Sequence, residues 1–363
     1  MAEVDEDTLR GALQLKQSTR DPEQVRKVLG SWLGPRVGAG RDLSISPVSS
    51  PGGSGVANET LLFDATWSAA GREHHEGFVM RVANSRPLYI ESDIEMHAKV
   101  YEALADVEGV PVPRVYGYEG DTSLLGAPFF VMERIEGEVP RDLPHWAAEG
   151  FIIDASPDRR RKMWDNAVEV LARLHEVDAA KFPFLAPPEG TSGLADDLAF
   201  CRRYLDHGSD GTPHDIMERG HEWLVANLPD PQPTAFSWGD ARIGNIMFRD
   251  DEVVAVFDWD TASMAGPEAD LAWWRGMDGE HADLVEGIGS SDELVRRWES
   301  LTGRKVQNLE WHDVFTSYRL AVVLLNLFRN MATDGAMPPE DAAHMGRESM
   351  YVGILDRQLD ALA

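Results

Sequence analysis

Cysteine is almost absent from this 363-residue chain, with Cys201 standing alone. One thiol excludes an intrachain disulfide and any zinc site built on several cysteines. Positive charge is scarce too. The 34 Lys and Arg face 62 Asp and Glu, for a formal net charge of -28. Such a chain repels a phosphate backbone, so nucleic acid is not an expected partner. The acidic excess fits solubility or a salt-tolerant host, and it is compatible with a cationic substrate. Long apolar runs are missing as well. Leu320 to Phe328 is the most apolar late stretch and is too short to span a bilayer. The opening Met1-Ala-Glu-Val-Asp-Glu-Asp is acidic and does not read as a signal peptide. No internal repeat or sustained heptad seam appears. The expectation is a cytoplasmic protein with no membrane partner. Hydrophobic residues make up 43%, enough for a sizeable core, and the length suits about two domains or one two-lobed unit.

What is present concentrates between Phe236 and Trp274. The stretch reads Phe-Ser-Trp-Gly-Asp-Ala-Arg-Ile-Gly-Asn-Ile-Met-Phe, an acidic turn, Val-Val-Ala-Val-Phe-Asp-Trp-Asp, and then Gly-Pro-Glu-Ala-Asp-Leu-Ala-Trp-Trp. Ile246 to Phe248 and Val253 to Phe257 read as strands of a hairpin, with Arg249 to Glu252 as its turn. Asp240, Asn245 and Asp258 are the polar residues at its edges. Carboxylates beside buried strands lose hydration and need partners, and a metal ion is one. Protein kinases place a catalytic aspartate, a metal-binding asparagine and a metal-binding aspartate in this order. Asp240 then orients the attacking hydroxyl and takes its proton, while Asn245 and Asp258 offer hard oxygens to Mg²⁺. Arg242, inside the same loop, either neutralises charge developing on the transferred group or pairs with Asp240 or Asp260.

These residues resemble the aminoglycoside phosphotransferase family, the small-molecule branch of the kinase fold. Its His-Gly-Asp, Asn, Asp-Trp-Glu, Gly-Asp-Pro and Asp-Leu-Ala motifs correspond to Trp238-Gly239-Asp240, Asn245, Asp258-Trp259-Asp260, Gly266-Pro267-Glu268 and Asp270-Leu271-Ala272. The chain looks closest to the long branch linked to acyl-CoA dehydrogenase-fused kinases and mycobacterial homologues. Trp238 stands where the family has histidine, and Asp260 where glutamate is common.

The resemblance implies the rest of a nucleotide site. The small-residue turn before Leu61 is similar to the family's loop over the ATP phosphates, with Gly55, Asn58 and Thr60 in matching places. Arg81, on the strand after it, takes the place of the kinase lysine and can grip phosphate through two nitrogens. Glu95 lies where the family has the acidic partner of that residue, and His97 aligns about as well. The strand from Pro128 to Ile135 runs into a hinge at Glu136-Gly137, with the backbone of Glu133 and Ile135 placed for adenine. Asp270 reads as a loop anchor and His175 as a packed helix residue. Adjacent His74 and His75 read as solvent-exposed on a hairpin.

The implied fold is α+β and protein-kinase-like. Residues 1–135 form a sheet-rich nucleotide-binding lobe with a helix near 21–33. Residues 136–363 form a helical catalytic and substrate-binding lobe. The implied activity is ATP- and Mg²⁺-dependent transfer of the γ-phosphate to a hydroxyl of a small molecule. Two acceptors compete, a cationic aminoglycoside and a hydroxyacyl-CoA thioester whose phosphates could meet the basic run Arg159 to Lys162. The reading from another class is a catalytically silent nucleotide-binding regulatory protein, with Trp238 and Arg81 as its support.

Overall fold

The computed structural model describes residues 20–39, 42–51, 58–84, 87–142, 144–230 and 234–363. Residues 1–19, and Gly55 of the small-residue turn, lie outside these. The described residues divide into two compact units. The first runs through Pro87 and takes in Glu91–Gly137 and Val254–Val256. The second takes in Leu88–Ile90, Glu138–Val253 and Phe257–Ala363.

In the first unit, helix α1 (Pro22–Val37) starts at Asp21, whose carboxylate accepts from Glu23 N, with Pro22 in the first turn. The helix was expected to end near residue 33, before Gly34-Pro35. The helix instead continues to Val37, because a proline so near the end forfeits a single backbone bond. Gly38, at φ 66°, then closes it by donating to Gly34 O. Val25, Leu29, Trp32 and Leu33 are buried, and the Trp32 ring sits 5.3 Å from Phe129.

The sheet has the order β1-β2-β3-β5-β4, formed by β1 (Ser44–Ile45), β2 (Glu59–Ala69), β3 (Arg72–Val82), β4 (Val115–Glu119) and β5 (Phe129–Glu133). Strand β1 has two residues and is followed by a bridge at Ser49, since Pro47 between them cannot donate to a ladder. Strands β2 and β3 run longer than expected. Ala70 and Gly71, both with positive φ, make the two-residue turn that lets polar flanks go on pairing. Within that turn's reach, the His74 ring stacks on Trp67 at 4.9 Å. Thr60 stands directly opposite Arg81. Phe63, Phe78, Met80, Val82, Phe129 and Val131 bury one face. Helix α2 (Ile94–Leu104) is capped by Asp93.

The second unit is helical. Its elements are α3 (Phe151–Asp154), α4 (Pro157–Leu174), α5 (Gly193–Ser209), α6 (Asp215–Ala226), α7 (Pro267–Ala282), α8 (Ser291–Thr302), α9 (Leu309–Thr333), α10 (Pro339–Arg347) and α11 (Met350–Ala361). Helices α10 and α11 are separate because Ser349 between them is extended, at ψ 154°. Helix α9 is buried almost all round and packs against α5, α6, α7, α10 and α11. No helix among the described residues is long and apolar enough to cross a membrane. Strands β6 (Ile246–Arg249) and β7 (Glu252–Val256) form the expected hairpin. Asp250 and Asp251 turn it with φ of 55° and 67°.

Candidate active site

The loop from Ser237 to Asn245 is held by side chains of α7. Asp270, fully buried, accepts from Ser237 Oγ at 2.9 Å, Trp238 N at 2.7 Å and Gly239 N at 2.7 Å. His175 Nε2 adds a fourth bond at 2.9 Å. Trp298 Nε1 donates to His175 Nδ1 at 2.9 Å. Indole only donates, so Nδ1 accepts and Nε2 carries the hydrogen given to Asp270. Asp270 therefore anchors the loop, as its position implied, and His175 orients the anchor as well as packing. Further along α7, Asp278 accepts from Ile243 N at 2.9 Å and Trp146 Nε1 at 3.1 Å. Its burial raises its pKa. Gly239 is required between them. It has φ 87°, and a Cβ there would lie 2.0 Å from Thr261 O.

This scaffold presents Asp240 with both oxygens engaged. Trp273 Nε1, also on α7, donates to Oδ1 at 2.6 Å. Asn245 Nδ2 donates to Oδ2 at 2.7 Å and to Asp240 O at 2.9 Å. Arg242 Nε lies 3.3 Å from Oδ1, while its two terminal nitrogens grip Asp142. Burial works against the Arg242 charge, but Asp240 and Asp142 more than offset it and raise its pKa well above the usual value. Of the two roles open to Arg242, pairing with Asp240 is the one formed. Donors on all sides fix the carboxylate in orientation.

Trp238 explains itself in the same knot. It is fully buried, and its Nε1 donates to Phe257 O at 2.8 Å and Asp258 O at 3.0 Å. Phe257 N in turn donates to Asn245 O at 3.0 Å. The indole thus ties the loop to the backbone of Asp258, which holds φ 61°, a costly conformation for a residue with a Cβ. The donor chemistry here fits Mg²⁺. Asn245 spends its amide nitrogen on Asp240, and no donor among the described residues reaches its Oδ1. Asp258 supplies a carboxylate one residue past the Phe257–Asn245 bond. Among the described residues no three His, Cys, Asp or Glu side chains gather to hold a metal, and Mg²⁺ is commonly held by one or two protein oxygens with phosphates and water completing its shell.

In the first unit, Arg81 Nη1 donates to Thr60 Oγ1 at 2.7 Å, and Asn58, just before β2, is buried. Glu95 does not hold Arg81. It pairs with Lys99 at 2.8 Å on the solvent side of α2. The reason is its place in the first turn, one residue off the face formed by Ile94, His97, Ala98 and Tyr101. The N–H of Glu133 donates to Arg114 O at 2.8 Å within the sheet, so of its backbone groups the carbonyl is the one left for the adenine expectation. Ile135, past the end of β5, makes no backbone hydrogen bond among the described residues.

The basic run is spoken for. Arg159 takes Asp251 through two nitrogens, Arg160 bonds the carbonyls of Ile152 and Glu286, Arg161 pairs with Asp165 and Glu293, and Lys162 with Glu252. Missed in the sequence are Trp273, Asp278 and the Trp298–His175 relay, all tertiary meetings. Trp273 and Asp278 did carry a signal, since they share a side of α7 with Asp270.

Asp197 on α5 accepts from Ser263 Oγ at 3.1 Å, and burial pushes its carboxyl up to about 6. An acid whose folded pKa lies above its unfolded value favours folding when protonated. Its stabilisation is complete below about pH 4 and is lost as pH rises through about 6. Asp197→Asn is expected to match the parent near pH 4 and to exceed it at pH 7, by on the order of 2 kcal/mol. Urea unfolding at both pH values checks this; equal differences at the two would contradict it.

The model of the phosphotransferase enzyme family matches residues 53–301, more than half of the chain. Acyl-CoA dehydrogenase family member 11 of Homo sapiens is 31% identical over 272 residues, 67% of this chain and 33% of that protein. The chain thus spans about a third of the length of that relative. A structure from Ralstonia eutropha assigned to the aminoglycoside phosphotransferases superposes with TM-score 0.69 at 22% identity, covering 92% of this chain and 98% of that one. A thermostable mutant of aminoglycoside phosphotransferase APH(4)-Ia, in ternary complex with ADP and hygromycin B, gives TM-score 0.54 at 14% identity, with 91% and 98% covered. At these identities the structural likeness shows the fold, which is the two-lobed α+β fold of kinase-like phosphotransferases. The chain belongs to the phosphotransferase enzyme family.

Proposed function

We propose that the chain transfers the terminal phosphoryl group of ATP to a hydroxyl of a small molecule. The observation that carries this reading is the Asp240 carboxylate, oriented by Trp273, Asn245 and Arg242 in a loop anchored at both ends. The acceptor oxygen forms a bond to the γ-phosphorus as the bond to the β–γ bridging oxygen breaks. ADP leaves, and the hydroxyl proton passes to Asp240. Asn245 Oδ1 and Asp258 would hold Mg²⁺, which when bound offsets the charge of the triphosphate. Arg81 supplies a guanidinium for phosphate beside Thr60, and the family resemblance adds Asn58 and Gly55 to the phosphate-binding residues. Ile135 N–H is the hinge donor for adenine. In this reading residues 1–135 bind nucleotide and 136–363 carry the acceptor.

The acyl-CoA dehydrogenase relative favours a hydroxyacyl-CoA acceptor, and the hygromycin-bound neighbour an aminoglycoside. The ion pairing of Arg159 with Asp251 and of Lys162 with Glu252 weakens one argument for the first. The test is ADP release by the full chain against aminoglycosides, hydroxyacyl-CoA thioesters and simple hydroxy compounds, with Mg²⁺ and with chelator. Acceptor-dependent release that chelator abolishes is expected. Tight ATP binding with silence across the panel would favour the regulatory reading instead.

A further inference from the structure

Helix α9 reaches the catalytic loop through one side chain. Arg319 is the only charged residue between Asp313 and Arg329 and is 7% exposed. Burial works against its charge, but the groups around it, the carboxylates of Asp197 and Asp240 included, more than offset that cost and leave its pKa raised. The cation is thus compensated where it stands. Its guanidinium carbon lies 4.3 Å from the centroid of the Trp273 ring. Trp273 is 3% exposed, and its Nε1 donates to Asp240 Oδ1 at 2.6 Å. One face of the indole therefore carries the cation, and one edge carries the bond to the carboxylate assigned as base.

The packing of α7 on α9 brings these groups together. Gly276 stands three residues after Trp273, and Thr316 three residues before Arg319. A Cβ on Gly276 would lie 2.6 Å from Thr316 Cγ2 and 3.8 Å from Leu320 Cδ1. The missing side chain is what allows the close approach. A cation over an indole face is attracted to the ring and draws electron density from it, which makes the N–H a stronger donor. The other holders of Asp240 do not duplicate this bond. Asn245 takes Oδ2. Arg242 Nε comes no nearer to Oδ1 than 3.3 Å, and its terminal nitrogens are spent on Asp142. The seat of the Trp273 ring therefore decides where Oδ1 points.

We infer that Arg319 is a positioning residue of the phosphotransfer site: it seats and polarises Trp273, and through that indole it fixes the Asp240 carboxylate toward the acceptor hydroxyl. This rests on the phosphotransfer reading of Asp240. The base is then governed from α9, outside the stretch from Phe236 to Trp274 that carries the motifs, by a side chain that does not hydrogen-bond to it.

The test is a double-mutant cycle on the full chain, built from Arg319→Met, Trp273→Phe and the pair. The rate is ADP release from Mg²⁺-ATP with water as acceptor. The second readout is the indole N–H proton resonance of Trp273, assigned as the signal lost in Trp273→Phe. That variant keeps an aromatic face for Arg319 and is expected to lower kcat about tenfold to a hundredfold. Arg319→Met should lower it about threefold to thirtyfold, with KM for ATP unchanged in both. In the Trp273→Phe background, Arg319→Met should cost less than about twofold more. The resonance should move upfield in Arg319→Met and in Asp240→Asn. Arg319→Lys keeps a cation and should lose less on both readouts, and it carries the test if Arg319→Met does not fold. Equal losses from Arg319→Met in the two backgrounds overturn the proposal, because Arg319 would then only pack α9. So does a resonance that Arg319→Met leaves in place. A parent chain that releases no ADP, with a resonance that still answers to Arg319→Met and Asp240→Asn, keeps the Arg319–Trp273–Asp240 link and sinks the phosphotransfer reading.

Discussion

Asp240→Ala is expected to lower turnover by about two to four orders of magnitude, the range for loss of a positioned general base. Nucleotide affinity should change little. The argument is local. Asp240 has no hydrogen bond that holds another element in place except through Trp273 and Asn245, and both of those keep other supports. Trp273 stays packed on Arg319, and Asn245 stays bonded to the Asp240 backbone and to Phe257 N. Arg242 keeps its two-nitrogen grip on Asp142 and so is not left as a bare buried cation. Single-turnover assays under saturating ATP measure the loss. Turnover within about threefold of the parent would mean that another group takes the proton.

Asp270→Ala should act on the fold first. The substitution removes the acceptor of four hydrogen bonds at a fully buried site. It strands the N–H groups of Trp238 and Gly239, each worth about 1–3 kcal/mol when buried and unpaired. It also frees the His175 hydrogen that Trp298 directs toward it. A loss on the order of 4 kcal/mol is expected, with activity falling beyond what the unfolded fraction explains, because Asp240 follows Gly239 directly. Asp270→Asn keeps one oxygen and should lose less. Chemical denaturation of the three proteins gives the values, and a loss under about 1 kcal/mol would show that water replaces the carboxylate.

The sequence carried the local part of this site plainly. Asp240, Asn245 and Asp258 stand within one short stretch, so their order and spacing survive without knowledge of the fold. The β6–β7 hairpin was equally legible, since two acidic residues at its turn can take positive φ. Glu95 shows the opposite case. A place near the start of a helix is set by its cap, and Asp93 rotates Glu95 outward to Lys99. Which backbone groups of Glu133 stay available was not legible either, because its N–H is taken by Arg114 O, just before β4. Trp238 looked like a loss at a familiar histidine position, yet its indole reaches two carbonyls that no local pattern brings near. Arg319 had a readable sign, a solitary charge in an apolar helix. Its nearness to Trp273 appears only when α7 and α9 pack.

The account depends on Asn245 and Asp258 serving nucleotide-bound Mg²⁺ while Asp240 serves the acceptor. The most direct measurement is calorimetric titration of Mg²⁺ with a non-hydrolysable ATP analogue into the parent, Asn245→Ala, Asp258→Ala and Asp240→Ala chains. The first two variants should bind about tenfold or more weakly, and Asp240→Ala should bind like the parent. Equal binding by all four, or loss confined to Asp240→Ala, would contradict that division of roles.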